Sequence, residues 1–292
     1  MVGLSEAAFN ISDPILPALL VVMGLAVGIL TGLFGAGGGF LIVPALNILL
    51  GIPYPLAVGS SLCFTAGSGT TGLSRYARMG NVEPRILVIV GVWSILGAIG
   101  GAWLQRELEQ RLAGTHGAFT LVMHGIFIAI LLLTAVLMYL KSRFGKTGWV
   151  LMQRFAVRPT VLIPSLGGRI SIPGLSAIGF IAGIFTGLLG IGGGVLFVPA
   201  FALLVGLETH QAVGTSLGVV VIASVAGVII HGLAGNVSLT VAMVLLIGSS
   251  AGVQIGAWMS QKLTARRLQQ GFVLLLVLVI AMLVADMMDK SG

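Results

Sequence analysis

Residues 31–45 read TGLFGAGGGFLIVPA and residues 186–200 read TGLLGIGGGVLFVPA, so one Gly-rich segment is written twice, 155 positions apart. The offset holds without a gap well past the motif. Ala57-Val58-Gly59 returns as Ala212-Val213-Gly214, Ser61-Leu62 as Ser216-Leu217, Gly80-Asn81-Val82 as Gly235-Asn236-Val237, and Gly101-Ala102-Trp103 as Gly256-Ala257-Trp258. Self-similarity at one offset over roughly 75 positions marks a duplicated unit. Each copy interrupts apolar sequence with glycines, a pairing that points to a transporter with its site between the copies.

Composition fixes the solvent. With 57% apolar and 8% charged residues and a mean hydropathy of +1.13, the chain cannot make a water-facing surface and reads as an all-α polytopic membrane protein. Its 15 basic and 8 acidic side chains fall almost entirely between apolar runs, as the cost of a charge in hydrocarbon requires. The net charge of +7 therefore reflects cytoplasmic loops beside a lipid-embedded body rather than a nucleic-acid surface. A single cysteine, Cys63, excludes an intramolecular disulfide and a cysteine-cluster metal site, and nothing implies a cofactor. Glu6 and Asp13, with no basic n-region, argue against a cleavable signal peptide.

Apolar stretches lie at about 15–34, 39–51, 56–74, 86–104 and 119–140, then at about 174–189, 194–206, 212–230, 240–260 and 270–288, five per copy. The second of each five has about 13 residues, too few to cross a core of about 30 Å as a helix. Residues 141–173 carry Lys141, Arg143, Lys146, Arg154, Arg158 and Arg169 without an acid. They read as a basic cytoplasmic linker between a first transmembrane repeat, 1–140, and a second, 174–292. An odd number of crossings turns the second copy upside down, and the charges agree. Loop 75–85 holds Arg75, Arg78 and Arg85 while its counterpart 230–240 has no Lys or Arg. Loop 105–118 is balanced, whereas 261–270 holds Lys262, Arg266 and Arg267. Two inverted five-segment repeats, about 10 membrane segments in all, place 75–85, 141–173 and 261–270 in the cytoplasm and both termini in the periplasm.

Gly37-Gly38-Gly39 and Gly192-Gly193-Gly194 fall between an apolar helix and the short segment, where three glycines break the helix. Irregular backbone at that depth must be buried in protein or line a cavity. Its amides, with the N-termini of short helices starting near Phe40 and Val195, suit an anion. The competing reading, that glycines only let helices approach, explains scattered glycines better than a repeated GxGGG followed by VPA. A dinucleotide loop is excluded because no strand precedes the motif and no acidic residue lies about 20 positions on. Ser61, Thr65 and Ser68 lie at i, i+4 and i+7 and form one hydroxyl face, with Ser60 beside it. Thr215 and Ser216 match Ser60 and Ser61, but Val220 and Ala223 replace Thr65 and Ser68. Such hydroxyls also bond back to the preceding turn. Gln254, which stands where the other copy has Ile99, offers an amide hydrogen to a ligand or a neighbouring helix. Asn81 and Asn236 suit turns, and Arg75 suits an anion lure or a snorkelling anchor. No Asp or Glu falls mid-span. His124 and Cys63 are the deep titratable groups, with no carboxylate to orient the histidine, so a carboxylate proton relay is not expected.

The doubled GxGGG-x4-P element with its following AVG-[ST]-S segment resembles the TauE/SafE family, also called the 4-toluene sulfonate uptake permease family, over about residues 15–288. The resemblance implies export or uptake of sulfur-containing anions such as sulfite, sulfoacetate or other organosulfonates across the bacterial inner membrane. Carried onto this chain, the motif implicates Gly35 to Phe40 with Pro44, Gly190 to Val195 with Pro199, and Ser60, Ser61, Thr215 and Ser216. A secondary carrier of a small organosulfur or sulfur oxyanion is the leading reading, with membrane lipid as its surroundings and the oligomeric state open. An anion channel built on the same breaks is the alternative. An intramembrane enzyme would need a nucleophile, base or metal cluster that the spans do not hold, and the chain has no G-x4-GK[ST] loop for a primary pump.

Overall fold

The computed structural model describes residues 15–112, 117–144, 158–166 and 168–289. The helices of the first half are α1 (Ile15–Phe34), α2 (Gly39–Pro44), α3 (Tyr54–Arg78), α4 (Pro84–Leu112) and α5 (Ala118–Phe144). After strands β1 (Thr160–Ile163) and β2 (Gly168–Ser171) come α6 (Ile172–Leu189), α7 (Gly194–Ala200), α8 (Thr209–Leu233), α9 (Leu239–Lys262) and α10 (Ala265–Asp289). Among the described residues seven helices are long and apolar enough to cross a membrane. The 25-residue α3 is not one of them, because glycines, hydroxyls and the terminal Arg75 and Arg78 dilute its apolar content.

The short second segments are Gly39–Leu49 and Gly194–Val205, which at 1.5 Å per residue span about half of a 30 Å core. Pro44 and Pro199 sit inside them, and a π turn follows each at once, Ala45–Leu49 and Phe201–Val205. A proline lacks the N–H and crowds the carbonyl four residues back, so neither short helix continues as a regular α-helix.

Helix α1 packs along α9, and α4 packs along α6. Glycines set both contacts. A Cβ added to Gly24, Gly28 or Gly32 would stand 2.0–2.9 Å from backbone atoms of Leu245, Ser249 or Val253, and one on Gly248, Gly252 or Gly256 would reach the carbonyl of Val21, Leu25 or Ile29 at 2.0–2.3 Å. Gly179, Gly183 and Gly187 meet the carbonyls of Val90, Ser94 and Ala98 in the same way. Lipid gives apolar helices no reason to associate, so this close backbone approach is what joins them. Helices α3 and α8 pack together between these pairs, and α5 lies against α10.

The segment expected as a basic linker, 141–173, carries secondary structure at both of its ends. Helix α5 runs on to Phe144, and β1 and β2 form an antiparallel hairpin pairing Thr160 with Ser171 and Ile163 with Gly168. Ile163 and Ile170 bury fully against Ile86, Val90 and Leu175, which is why this segment folds back on the bundle. Arg85 donates to the Leu162 carbonyl, and Ser165 donates to Glu83 at 2.6 Å. Residues 145–157 of the linker lie outside the described residues.

Candidate functional site

Helix α1 ends at Phe34, and three of the next four glycine positions are left-handed: Gly35 at φ 70°, Gly37 at 79° and Gly38 at 74°. Gly190, Gly192 and Gly193, at 70°, 70° and 73°, repeat the trace after α6. Side chains disfavour this region, so the sequence has to be glycine here for the chain to unwind. Gly38 and Gly193 then accept the first bonds of α2 and α7, from Leu41 and Ile42 and from Leu196 and Phe197. Between these anchors the main-chain N–H groups of Gly37, Gly38, Gly39 and Phe40, and of Gly192, Gly193, Gly194 and Val195, make no hydrogen bond among the described residues. All eight residues are buried.

The two breaks touch. A Cβ on Gly39 would meet the Gly190 carbonyl oxygen at 2.3 Å, and one on Gly194 would meet Ala36 at 2.5 Å. Thr65 of α3 wedges between them: its Cγ2 would lie 2.9 Å from a Cβ on Gly37 and 2.6 Å from one on Gly192, and its Oγ1 2.9 Å from one on Gly39. That Oγ1 is buried without a hydrogen-bond partner. Val220 of α8 flanks the same Gly37 and Gly192 from the other side, at 2.7 and 3.4 Å. One wall of the junction thus carries a hydroxyl and the other a methyl.

The remaining hydroxyls of the expected site shape it. Ser61 Oγ lies 2.8 Å from the Gly190 carbonyl oxygen and 3.0 Å from that of Val58, while Ser216 Oγ lies 2.8 Å from the carbonyls of Gly35 and Val213. Each serine therefore ties its own helix to the break of the other half. Ser60 Oγ accepts from the Ser238 N–H and Thr215 Oγ1 from the Glu83 N–H, both at 2.9 Å, holding the starts of α9 and α4. Ser68 sits one turn beyond Thr65 and is likewise buried, and Cys63 is half-buried. Gln254 does not join the breaks. It is exposed, reaches the Ser250 carbonyl at 3.3 Å, and lines a pocket with Arg75 and Arg78 instead.

Four residues escaped the sequence reading. Thr31, buried with an unpartnered hydroxyl, would lie 2.5 Å from a Cβ on Gly38, and Thr186 holds the same place beside Gly193 while donating to Ala182 at 2.9 Å. Both open the repeated motif, so repetition was the available signal. Tyr76 donates to the Gly32 carbonyl at 2.9 Å, and His231 Nε2 lies 2.9 Å from the Gly187 carbonyl. They are equivalent positions that keep different side chains for one contact.

The expectation that no carboxylate orients His124 is overturned. Asp286 of α10 places Oδ2 3.5 Å from His124 Nδ1, and both side chains are at least nine-tenths buried. The Tyr54 ring sits edge-on to the imidazole at 5.7 Å. Asp286 belongs to the end of a span, yet α5 and α10 are packed so that this end faces the imidazole.

A bundle of apolar helices with two backbone breaks packed together inside it fits a membrane transport protein. The chain belongs to the sulfite exporter TauE/SafE family, whose model matches residues 19–283. It is similar to the probable membrane transporter protein YunE of Bacillus subtilis, 28% identical over 271 residues, covering 89% of this chain and 94% of that one. The probable membrane transporter YjnA of the same organism is 29% identical, covering 86% and 92%. The probable membrane transporter MJ0441 of Methanocaldococcus jannaschii is 27% identical, covering 86% and 89%. No solved structure matches.

Proposed function

We propose that the protein is a secondary carrier of small sulfur-containing anions such as sulfite, sulfoacetate or other sulfonates, bound between the two glycine breaks. The observation that carries this reading is the set of eight buried main-chain N–H groups without hydrogen-bond partners, four in each of two breaks that touch. Buried donors left unpaired cost about 1–3 kcal/mol each, so such a cluster calls for an acceptor, and an oxyanion has several. Thr65 Oγ1 adds a ninth donor at the junction, and the positive ends of α2 and α7 favour negative charge. Ser61, Ser216, Ser60 and Thr215 act by orienting the breaks and the adjoining turns. The sulfur-anion class takes its support from the family's description.

The carrier sits in the bacterial inner membrane with both termini periplasmic, as two inverted repeats, 1–140 and 174–292, around the linker 141–173. The reciprocal contacts support a twofold relation between the halves: Ser61 to Gly190 returns as Ser216 to Gly35, Ser60 to Ser238 as Thr215 to Glu83, and Tyr76 to Gly32 as His231 to Gly187. A contact list that maps onto itself when the halves are exchanged is what an approximate twofold axis produces. Thermal unfolding of the purified protein tests the substrate class: sulfite, sulfoacetate and taurine should raise the transition by mass action where acetate and succinate do not. Stabilisation by carboxylates alone would overturn the sulfur reading.

A further inference from the structure

The pocket between the last turns of α3 and the middle of α9 has a volume of about 340 Å³, within the range of about 300–1,000 Å³ typical of small-molecule sites. Thr70, Thr71, Ser74, Arg75 and Arg78 line it from α3, and Gln254 lines it from α9. Among the described residues neither arginine forms an ion pair, and Arg75 Nε is buried with no hydrogen-bond partner. The side-chain amide of Gln254 keeps one hydrogen beyond its bond to Ser250.

The duplication supplies an internal control for what this polarity does. At the 155-residue offset the six lining residues become Val225, Ala226, Ile229, Ile230, Leu233 and Ile99, all apolar. The contact between α3 and α9 has its equivalent in the contact between α8 and α4, which forms without any of these polar groups. Packing therefore does not require them.

We propose that this pocket is a second anion site, separate from the glycine breaks, that takes a small oxyanion from the aqueous face where α3 ends. Two guanidinium groups supply charge and planar donor pairs matched to oxyanion edges, and the Gln254 amide and Ser74 hydroxyl add neutral donors. The site hands the ion inward along α3. Thr71, Ser68 and Thr65 follow one another at three-residue spacing, and Arg75 stands about 15 Å from Thr65 at 1.5 Å per residue. The inference rests on the proposed anion substrate, and it adds a docking step that only one of the two halves possesses.

Titration calorimetry of the full chain in lipid nanodiscs, with sulfite and then sulfoacetate as the injected probe, tests it. Wild type should bind two equivalents. Arg75→Gln with Arg78→Gln should weaken one equivalent at least tenfold and spare the other, Arg75→Lys with Arg78→Lys should largely restore it, and Thr65→Val should weaken the other equivalent. A sixfold variant that copies Val225, Ala226, Ile229, Ile230, Leu233 and Ile99 into the pocket keeps a packing the chain already uses and should behave like the double glutamine variant. An isotherm unchanged by the arginine variants overturns the pocket while leaving the breaks in place. Loss of one equivalent in the arginine variants with Thr65→Val silent upholds the pocket and overturns the breaks. A single equivalent weakened by both sets merges the two into one site and overturns the claim of a second. Wild type binding neither probe overturns both readings.

Discussion

Thr65 and Val220 face the same two glycines, Gly37 and Gly192, from equivalent positions on α3 and α8, and they differ only in a hydroxyl against a methyl. Thr65→Val therefore makes the junction symmetric without changing its volume. If the hydroxyl donates to a bound anion, the variant should bind sulfite about tenfold or more weakly, because a hydrogen bond to a charged group contributes about 1.5–3 kcal/mol, with folding preserved. Equal affinity would remove Thr65 from the site. The glycines answer differently. From sequence, alanine at Gly38 or Gly193 looks milder than leucine, since only bulk would block the anion. The structure adds a cost that alanine shares. Both residues are left-handed, and a Cβ would stand 2.5 Å from the Thr31 or Thr186 hydroxyl. Gly38→Ala should cost about 1–3 kcal/mol of stability from backbone strain alone, measurable as a lowered unfolding temperature, before binding is considered.

At the scale of helices, the glycine ridges predict which substitutions the bundle tolerates. Gly32→Ala and Gly187→Ala should both be strongly destabilising in detergent, because each new methyl would overlap a facing backbone at 2.0–2.2 Å. Gly100→Ala and Gly125→Ala meet nothing within 4 Å and should be neutral or stabilising by about 1 kcal/mol from helix propensity. Helix α5 is held to α10 in part by a polar contact. The transition temperatures of His124→Gln, Asp286→Asn and the double variant should show a coupling of about 0.5–3 kcal/mol, whereas additive losses would mean the 3.5 Å approach carries no energy. This contact also marks where sequence reading stopped. Apolar runs located the helices within a few residues, except that α4 continues to Leu112, past the apolar stretch ending near 104, through a polar segment that hydropathy does not register. The breaks were readable because three glycines in apolar sequence have few other uses. Repetition, however, tells which residues are equivalent and not which are neighbours. That Ser61 reaches Gly190, 129 positions away, or that Asp286 reaches His124, depends on how helices cross.

For the whole molecule, the reciprocal contacts are compatible with a twofold axis in any direction, and the proposed odd number of crossings per copy would turn it into the membrane plane. If all five segments of each half cross, equivalent residues emerge on opposite faces, so a pair of positions 155 apart reports the arrangement directly. Ala77 at the end of α3 and Gly232 at the end of α8 are such a pair: both are exposed, and a side chain on Gly232 meets nothing within 4 Å. In a Cys63→Ala background, Ala77→Cys should resist a membrane-impermeant thiol reagent applied to intact cells, and Gly232→Cys should react. Gln261→Cys, at the exposed end of α9 beside Lys262, should behave like Ala77→Cys, since both adjoin arginine- or lysine-bearing loops that the charge bias places in the cytoplasm. Matching accessibility at positions 77 and 232 would mean that one segment per copy turns back without crossing. The short Gly39–Leu49 and Gly194–Val205 helices would then be re-entrant, and the two breaks would enter the junction from the same side of the membrane.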